Sequence, residues 1–311
     1  MSLVRLPLLL LATILTACGT TRPSRDEAVR PPESRRVSAS GWVVSADDVR
    51  VRYHQSGRGP VAIVLVHGWL CDSRYWRLQV PALEQQYRVV TLDLAGHGES
   101  GFGREAWTIQ AFAQDVAAVV HALGAERVIL VGHSMGGPVV IEVARLADAV
   151  IGVIGVETLR AVNFAPASPS QREQVIASLT ADFAGATRDL VSSSMFVAHT
   201  DPALRESIVA DMVEGPAIVG IGALEGLLDY QAAEGLARLE VPFVLINADY
   251  APTDTDLIRS AAPDARIETI HGVGHFLMLE APLEFNAILE RAVAGLLDPG
   301  QSANGDESTG G

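Results

Sequence analysis

Gly132-His133-Ser134-Met135-Gly136-Gly137 is the stretch on which the fold reading turns. It follows the short apolar run 127–131 and precedes another apolar run opening with Pro138, a residue tolerated in the first turn of a helix. A serine set between glycines at such a junction matches GxSxG, in which a sharp strand-to-helix turn holds the hydroxyl out and small neighbours avoid collision. Alone, the match describes any glycine-rich turn containing serine. Between a buried strand and a helix it marks Ser134 as a candidate nucleophile.

Working outward, the runs 61–66, 88–92, 127–131, 150–156 and 242–246 are short, rich in β-branched residues and apolar without alternation. Strands read this way when helices cover both faces of a parallel sheet. Between them, 108–123 has the best helical stripe, Phe112, Val116, Val119, Val120 and Leu123, with Gly124 placed to cap its C-terminus. Segments 42–44 and 49–53 flank Ala46-Asp47-Asp48 and read as an antiparallel hairpin. The pattern predicts an α/β fold: a mostly parallel central sheet flanked by helices.

Residues 158–240 break the rhythm. They hold no strand-like run, while 171–180, 203–213 and 217–230 have helical composition. An excursion of this length is too long for a loop and reads as a helical cap inserted over the carboxyl edge of the sheet, where open α/β sheets bind ligands. The core is then 41–157 and 241–297, with the cap at 158–240. Within the cap, Phe164, Phe183, Met195, Phe196 and Met212 either line an apolar pocket or pack the cap's own interior.

The ends of the chain differ from its body. Arg5 precedes an apolar run from Leu6 to Leu15, too short to span a bilayer but suited to a signal-peptide core. The run ends Leu15-Thr16-Ala17-Cys18-Gly19, which resembles a bacterial lipoprotein signal, with 1–17 removed and Cys18 acylated. A simple secretory peptide with a chance cysteine is the alternative. Residues 18–40 read as a flexible tether rich in Pro, Ser and Arg, and 298–311 as a disordered tail. Lipidation predicts an envelope protein held at an outer or other membrane surface, and it leaves Cys71 without a disulfide partner, since the chain has only 2 cysteines. Over 311 residues the formal charge is −14, which disfavours nucleic-acid partners.

Four motifs in order make the chain resemble an α/β-hydrolase over 41–297: His67-Gly68-Trp69, Asp93 to Ser100 (Asp-Leu-Ala-Gly-His-Gly-Glu-Ser), Gly132 to Gly137, and Gly272-Val273-Gly274-His275-Phe276. The resemblance implies a triad in the chain order Ser, acid, His, with Ser134 as nucleophile and His275 as its base. It also implies an oxyanion hole made by the backbone N–H groups of Trp69 and Met135. His67, His97 and His133 fall in motif loops and are expected to shape them.

The acid departs from the common family pattern. That pattern places an aspartate after the run 242–246, and in the register Asn247-Ala248-Asp249-Tyr250-Ala251 the position falls on Ala251. The first candidate is Glu157, at the end of the preceding strand. Some relatives, including one group of haloalkane dehalogenases, use a glutamate there and continue Ile-Asn-Ala-acid in the later strand, as in Ile246-Asn247-Ala248-Asp249. Asp249 is the alternative acid.

A serine at the elbow suits acyl transfer and disfavours the carboxylate chemistry of dehalogenases and epoxide hydrolases of this fold. The expected activity is hydrolysis of a carboxylic ester or related acyl compound through an acyl-enzyme. Cofactor-free perhydrolysis, C–C bond hydrolysis and peptide cleavage use the same triad, and a non-catalytic surface-anchored binding protein is the reading from another class. No cofactor or metal is expected, since HExxH, GxxxxGK[ST] and a GxGxxG after the first strand are missing.

Overall fold

A computed structural model describes residues 38–160 and 168–298. The expectations for the leader, for acylation of Cys18, for the tether up to residue 37, for Phe164 and for the tail beyond 298 lie outside these residues.

Eight strands form one sheet: β1 (Ser38–Val44), β2 (Arg50–Gly57), β3 (Val61–Val66), β4 (Arg88–Leu92), β5 (Arg127–His133), β6 (Val150–Val156), β7 (Phe243–Ala248) and β8 (Arg266–Ile270). Their spatial order is β1-β2-β4-β3-β5-β6-β7-β8. β1 and β2 make the antiparallel hairpin, β2 runs antiparallel to β4, and the pairs from β4 to β8 are parallel.

Several strand boundaries differ from the sequence expectation, β2 among them, which runs on to Gly57. β1 starts at Ser38, ahead of the expected limit at 41, because the hairpin ladder continues through Ser38 opposite Ser56. Polar residues on both sides of that ladder carry no apolar signal. β5 and β7 extend at their carboxyl ends to His133 and Ala248, where Val156 and Ile270 still pair with them. These extra residues deliver the site loops.

The helix Ile109–Leu123 begins at Thr108, whose hydroxyl accepts from the Ala111 N–H, and ends on Gly124 in the left-handed region. Among the described residues between β6 and β7 lie five helices, Pro169–Ala181, Phe183–Ser194, Pro202–Val213, Ala217–Asp229 and Ala232–Ala237. Phe183–Ser194 is missing from the sequence reading. It buries fully only Thr187 and Val191, too few positions to produce a stripe.

The core is built on strands such as β3, buried at every residue, with Trp76, Phe112, Phe276 and Phe285 among its largest fully enclosed side chains. An ionic cluster lies inside it. Arg104 is buried and binds Asp47 and Asp115, and Asp115 also accepts the Ala95 N–H at 3.1 Å. That bond secures the loop after β4, which packs under the cap at Val219. Asp115→Ala would leave the guanidinium buried with half its charge partners, and should cost about 3–5 kcal/mol of stability in urea unfolding.

Candidate active site

Five described non-glycine residues have positive φ, and four of them stand at the carboxyl edge of the parallel strands: Leu70 after β3, Ser134 after β5, and Glu157 and Leu159 after β6. Each such backbone costs on the order of 1–3 kcal/mol and persists only where its surroundings over-determine it. At Ser134, with φ of 52°, the determinants are visible. Its N–H donates to the Val156 carbonyl at 2.9 Å, and its carbonyl accepts from the Thr158 hydroxyl and the Gly137 N–H, each at 2.9 Å. A side chain on Gly132 would collide with the Gly136 carbonyl, and one on Gly136 would come within 2.7 Å of the Val66 and His67 carbonyl oxygens. The glycines of the motif are therefore required by β3 and its loop as much as by the turn itself.

Trp69 and Met135 are buried beside this turn. Among the described residues neither backbone N–H donates to a protein acceptor. The Trp69 ring is anchored elsewhere: its Nε1 donates to the Gly220 carbonyl in the cap helix Ala217–Asp229 at 2.7 Å. His67 ties the same loop to the next one, with Nδ1 on the Gly68 carbonyl and Nε2 accepting the Leu94 N–H at 3.0 Å. Burial holds its imidazole below the usual range.

His275 sits in the loop after β8. Its N–H donates to the Met195 carbonyl of the cap at 2.8 Å, and its carbonyl accepts from His133 Nε2 at 3.0 Å. The His133 and His275 ring centroids are 4.9 Å apart. Burial, and then the neighbouring His275, push the His133 imidazole well below its ordinary range, so it acts here as a neutral strap. Glu280 fastens the loop from the other side, accepting from Gly274 N–H, Phe276 N–H and the Thr200 hydroxyl. The sequence assigns Glu280 no role in the site.

The two candidate acids have opposite surroundings. Glu157 is buried, with Oε1 at 3.9 Å from His275 Nδ1 and Oε2 accepting the Ala248 N–H at 2.7 Å. Asn247 clamps the neighbouring Thr158 backbone through its amide, joining the ends of β6 and β7. Asp249 is exposed and turned outward: it accepts from His271 Nδ1 at 2.9 Å and from the Gly272 N–H at 2.8 Å. The structure thus gathers Glu157 with His275 and leaves Asp249 with a surface histidine. Arg160 and Tyr250, which the sequence reading does not single out, lie beside Glu157. Among the described residues no group of three or more His, Cys, Asp or Glu side chains is arranged to hold a metal ion. Cys71 is free and buried, and burial raises its thiol well above the usual range.

A sequence profile described as the alpha/beta hydrolase family matches residues 63–288. The chain is 29% identical over 276 residues to a dihydrolipoyllysine-residue acetyltransferase component of an acetoin cleaving system from Cupriavidus necator, covering 83% of this chain and 70% of that protein. It is 28% identical over 240 residues to 3-oxoadipate enol-lactonase 1 of Acinetobacter baylyi, covering 76% and 89%. A thermophilic esterase structure from Thermogutta terrifontis superimposes with a TM-score of 0.72 at 23% identity, covering 83% of this chain and 99% of that one.

The His271 hydrogen bond, followed by the Gly272 N–H, holds the Asp249 carboxyl below its ordinary range. Its contribution is present above that range and fades as the pH falls through the lowered value. In a carboxyl NMR titration, His271→Ala should return Asp249 toward ordinary behaviour while leaving the His275 ring signals in place. Movement of His275 would mean that Asp249 serves it instead.

Proposed function

The chain belongs to the alpha/beta hydrolase family, and from that premise we propose that it is a serine hydrolase cleaving a carboxylic ester, or a related acyl compound, through an acyl-enzyme. The observations that carry this reading are the left-handed backbone of Ser134, the Trp69 and Met135 N–H groups that donate to no acceptor among the described residues, and a buried carboxylate 3.9 Å from His275. The Ser134 hydroxyl attacks the acyl carbon as His275 Nε2 takes its proton. The developing oxyanion is met by the N–H groups of Trp69 and Met135. The bond to the leaving alcohol then breaks, with His275 returning the proton to the alcohol oxygen. Water, deprotonated by His275, attacks the acyl-enzyme and releases the acid and Ser134. Glu157, 3.9 Å from His275 Nδ1, stabilises the imidazolium that forms.

An esterase and an enol-lactonase among the comparators support ester-type substrates. Serine, with no carboxylate at the elbow, supports acyl transfer. With purified protein and a series of aryl esters of increasing acyl length, Ser134→Ala should lower turnover by at least about a thousandfold and abolish labelling by a fluorophosphonate. Glu157→Gln should lower kcat by about a hundredfold or more, and Asp249→Asn should stay near wild type. Unchanged labelling in Ser134→Ala, or a wild type that takes no label, sinks the reading.

We also propose that residues 1–17 are removed and Cys18 carries acyl chains that hold the enzyme at a membrane surface of the cell envelope. What supports this is the basic residue, short apolar run and Leu-Thr-Ala-Cys order of the leader. Cys18→Ala should move the protein from the membrane to the soluble fraction on fractionation, and intact-mass analysis of the wild type should show an acylated N-terminal cysteine.

A further inference from the structure

We propose that Tyr250 is a positioning residue for His275, its hydroxyl nearer the base than a Glu157 whose charge is balanced by Arg160. The inference rests on the hydrolase reading above. For Nε2 to take the Ser134 proton, the His275 proton must sit on Nδ1, which then needs an acceptor. The Tyr250 hydroxyl is the nearer one, at 3.2 Å. Glu157 Oε1 stands at 3.9 Å, beyond hydrogen-bond range.

That carboxylate oxygen is already taken. Arg160 Nε donates to it at 2.6 Å and Nη2 is paired with it as well. The same guanidinium builds the loop that carries Tyr250. It donates to the Ala248 carbonyl at 2.9 Å and to the Ala251 carbonyl, and its carbon lies 4.5 Å from the centroid of the Tyr250 ring. Ala251 is the position where the common family pattern has its aspartate. In this chain the orienting half of that aspartate's task passes to a phenol. The charge-stabilising half passes to a carboxylate that shares its charge with an arginine.

The phenol keeps its proton, because burial and then the adjacent Glu157 push its ionisation far above neutral pH. It therefore orients without adding charge. An unbalanced Glu157 would favour the imidazolium, and the guanidinium subtracts from that effect.

Other ionisable groups around His275 are accounted for. On its own loop, Glu280 is bound by two N–H groups and a hydroxyl. From β5 comes neutral His133, and beyond β7 Asp249 is turned onto His271. From the cap, His199 Nε2 contacts the Gly272 carbonyl. None of these lies between Arg160 and Glu157.

The test is the pH profile of kcat/KM on an aryl ester for Arg160→Met, Arg160→Lys and Tyr250→Phe. Arg160→Met should move the acidic limb upward by roughly one pH unit, and Arg160→Lys, which keeps the charge, by less. Tyr250→Phe keeps the ring under the guanidinium and should lower kcat about tenfold with KM near wild type. A folded Arg160→Met with an unmoved limb, or Tyr250→Phe with wild-type kcat, overturns the proposal. Should Arg160→Met fail to fold, Arg160→Gln gives the same readout. The His275 ring titration followed by NMR, comparing wild type with the Arg160 variant, needs no turnover. A wild type that takes no fluorophosphonate would sink the hydrolase reading, and the NMR midpoints would still decide this one.

Discussion

A backbone that turns left-handed at Ser134 is the constraint around which the rest is arranged. An L-residue resists that conformation, so three adjacent strands hold it there. β6 supplies the Val156 carbonyl and the Thr158 hydroxyl, β3 leaves room only for hydrogen at Gly136, and β5 delivers the turn in register with both. The strain is thus paid within the sheet, whose parallel ladders end together at this edge. Loosening any of the three strands would let the serine relax into an ordinary helix start and withdraw its hydroxyl.

The second organising fact is that β6 and β7 are neighbours, with Val156 directly opposite Ile246. The two strand ends carry one carboxylate each, Glu157 turned inward beside His275 and Asp249 turned outward onto His271. Two carboxylates of equal chemistry are then separated by environment alone: Glu157 is enclosed and held by backbone and guanidinium, while Asp249 faces water and a surface histidine.

Much of this was legible in the chain. The strands announce themselves by unbroken β-branched runs because both faces of the sheet are covered, and the Ser134 and His275 loops are written in glycines that their geometry demands. The candidate pair Glu157 and Asp249 was readable as well, but which one faces the base depends on side-chain direction across a strand pair, which no local pattern encodes. Tyr250, Arg160 and Glu280 escaped notice for a related reason. Their contacts depend on how side chains are turned in the fold, as when Tyr250 meets His275, Arg160 joins Glu157 to the Ala248 and Ala251 carbonyls, and Glu280 joins its own loop to Thr200, and each residue type is ordinary at a surface. The helix Phe183–Ser194 escaped because a cap element with two fully buried positions needs no stripe.

Two bonds described above join the helices between β6 and β7 to the loops of the candidate site: the Trp69 indole to the Gly220 carbonyl, and the His275 N–H to the Met195 carbonyl. They bear on how such a protein can diversify. A different cap grafted onto this sheet would have to offer acceptors at both points, or leave two donors unsatisfied beside the reacting groups at about 1–3 kcal/mol each. The cap is for this reason not an interchangeable module. Within it, the segments around Met195 and Gly220 are bound to the chemistry, whereas Pro169–Ala181, most of whose residues are at least partly exposed, is free to vary with the molecules the protein meets.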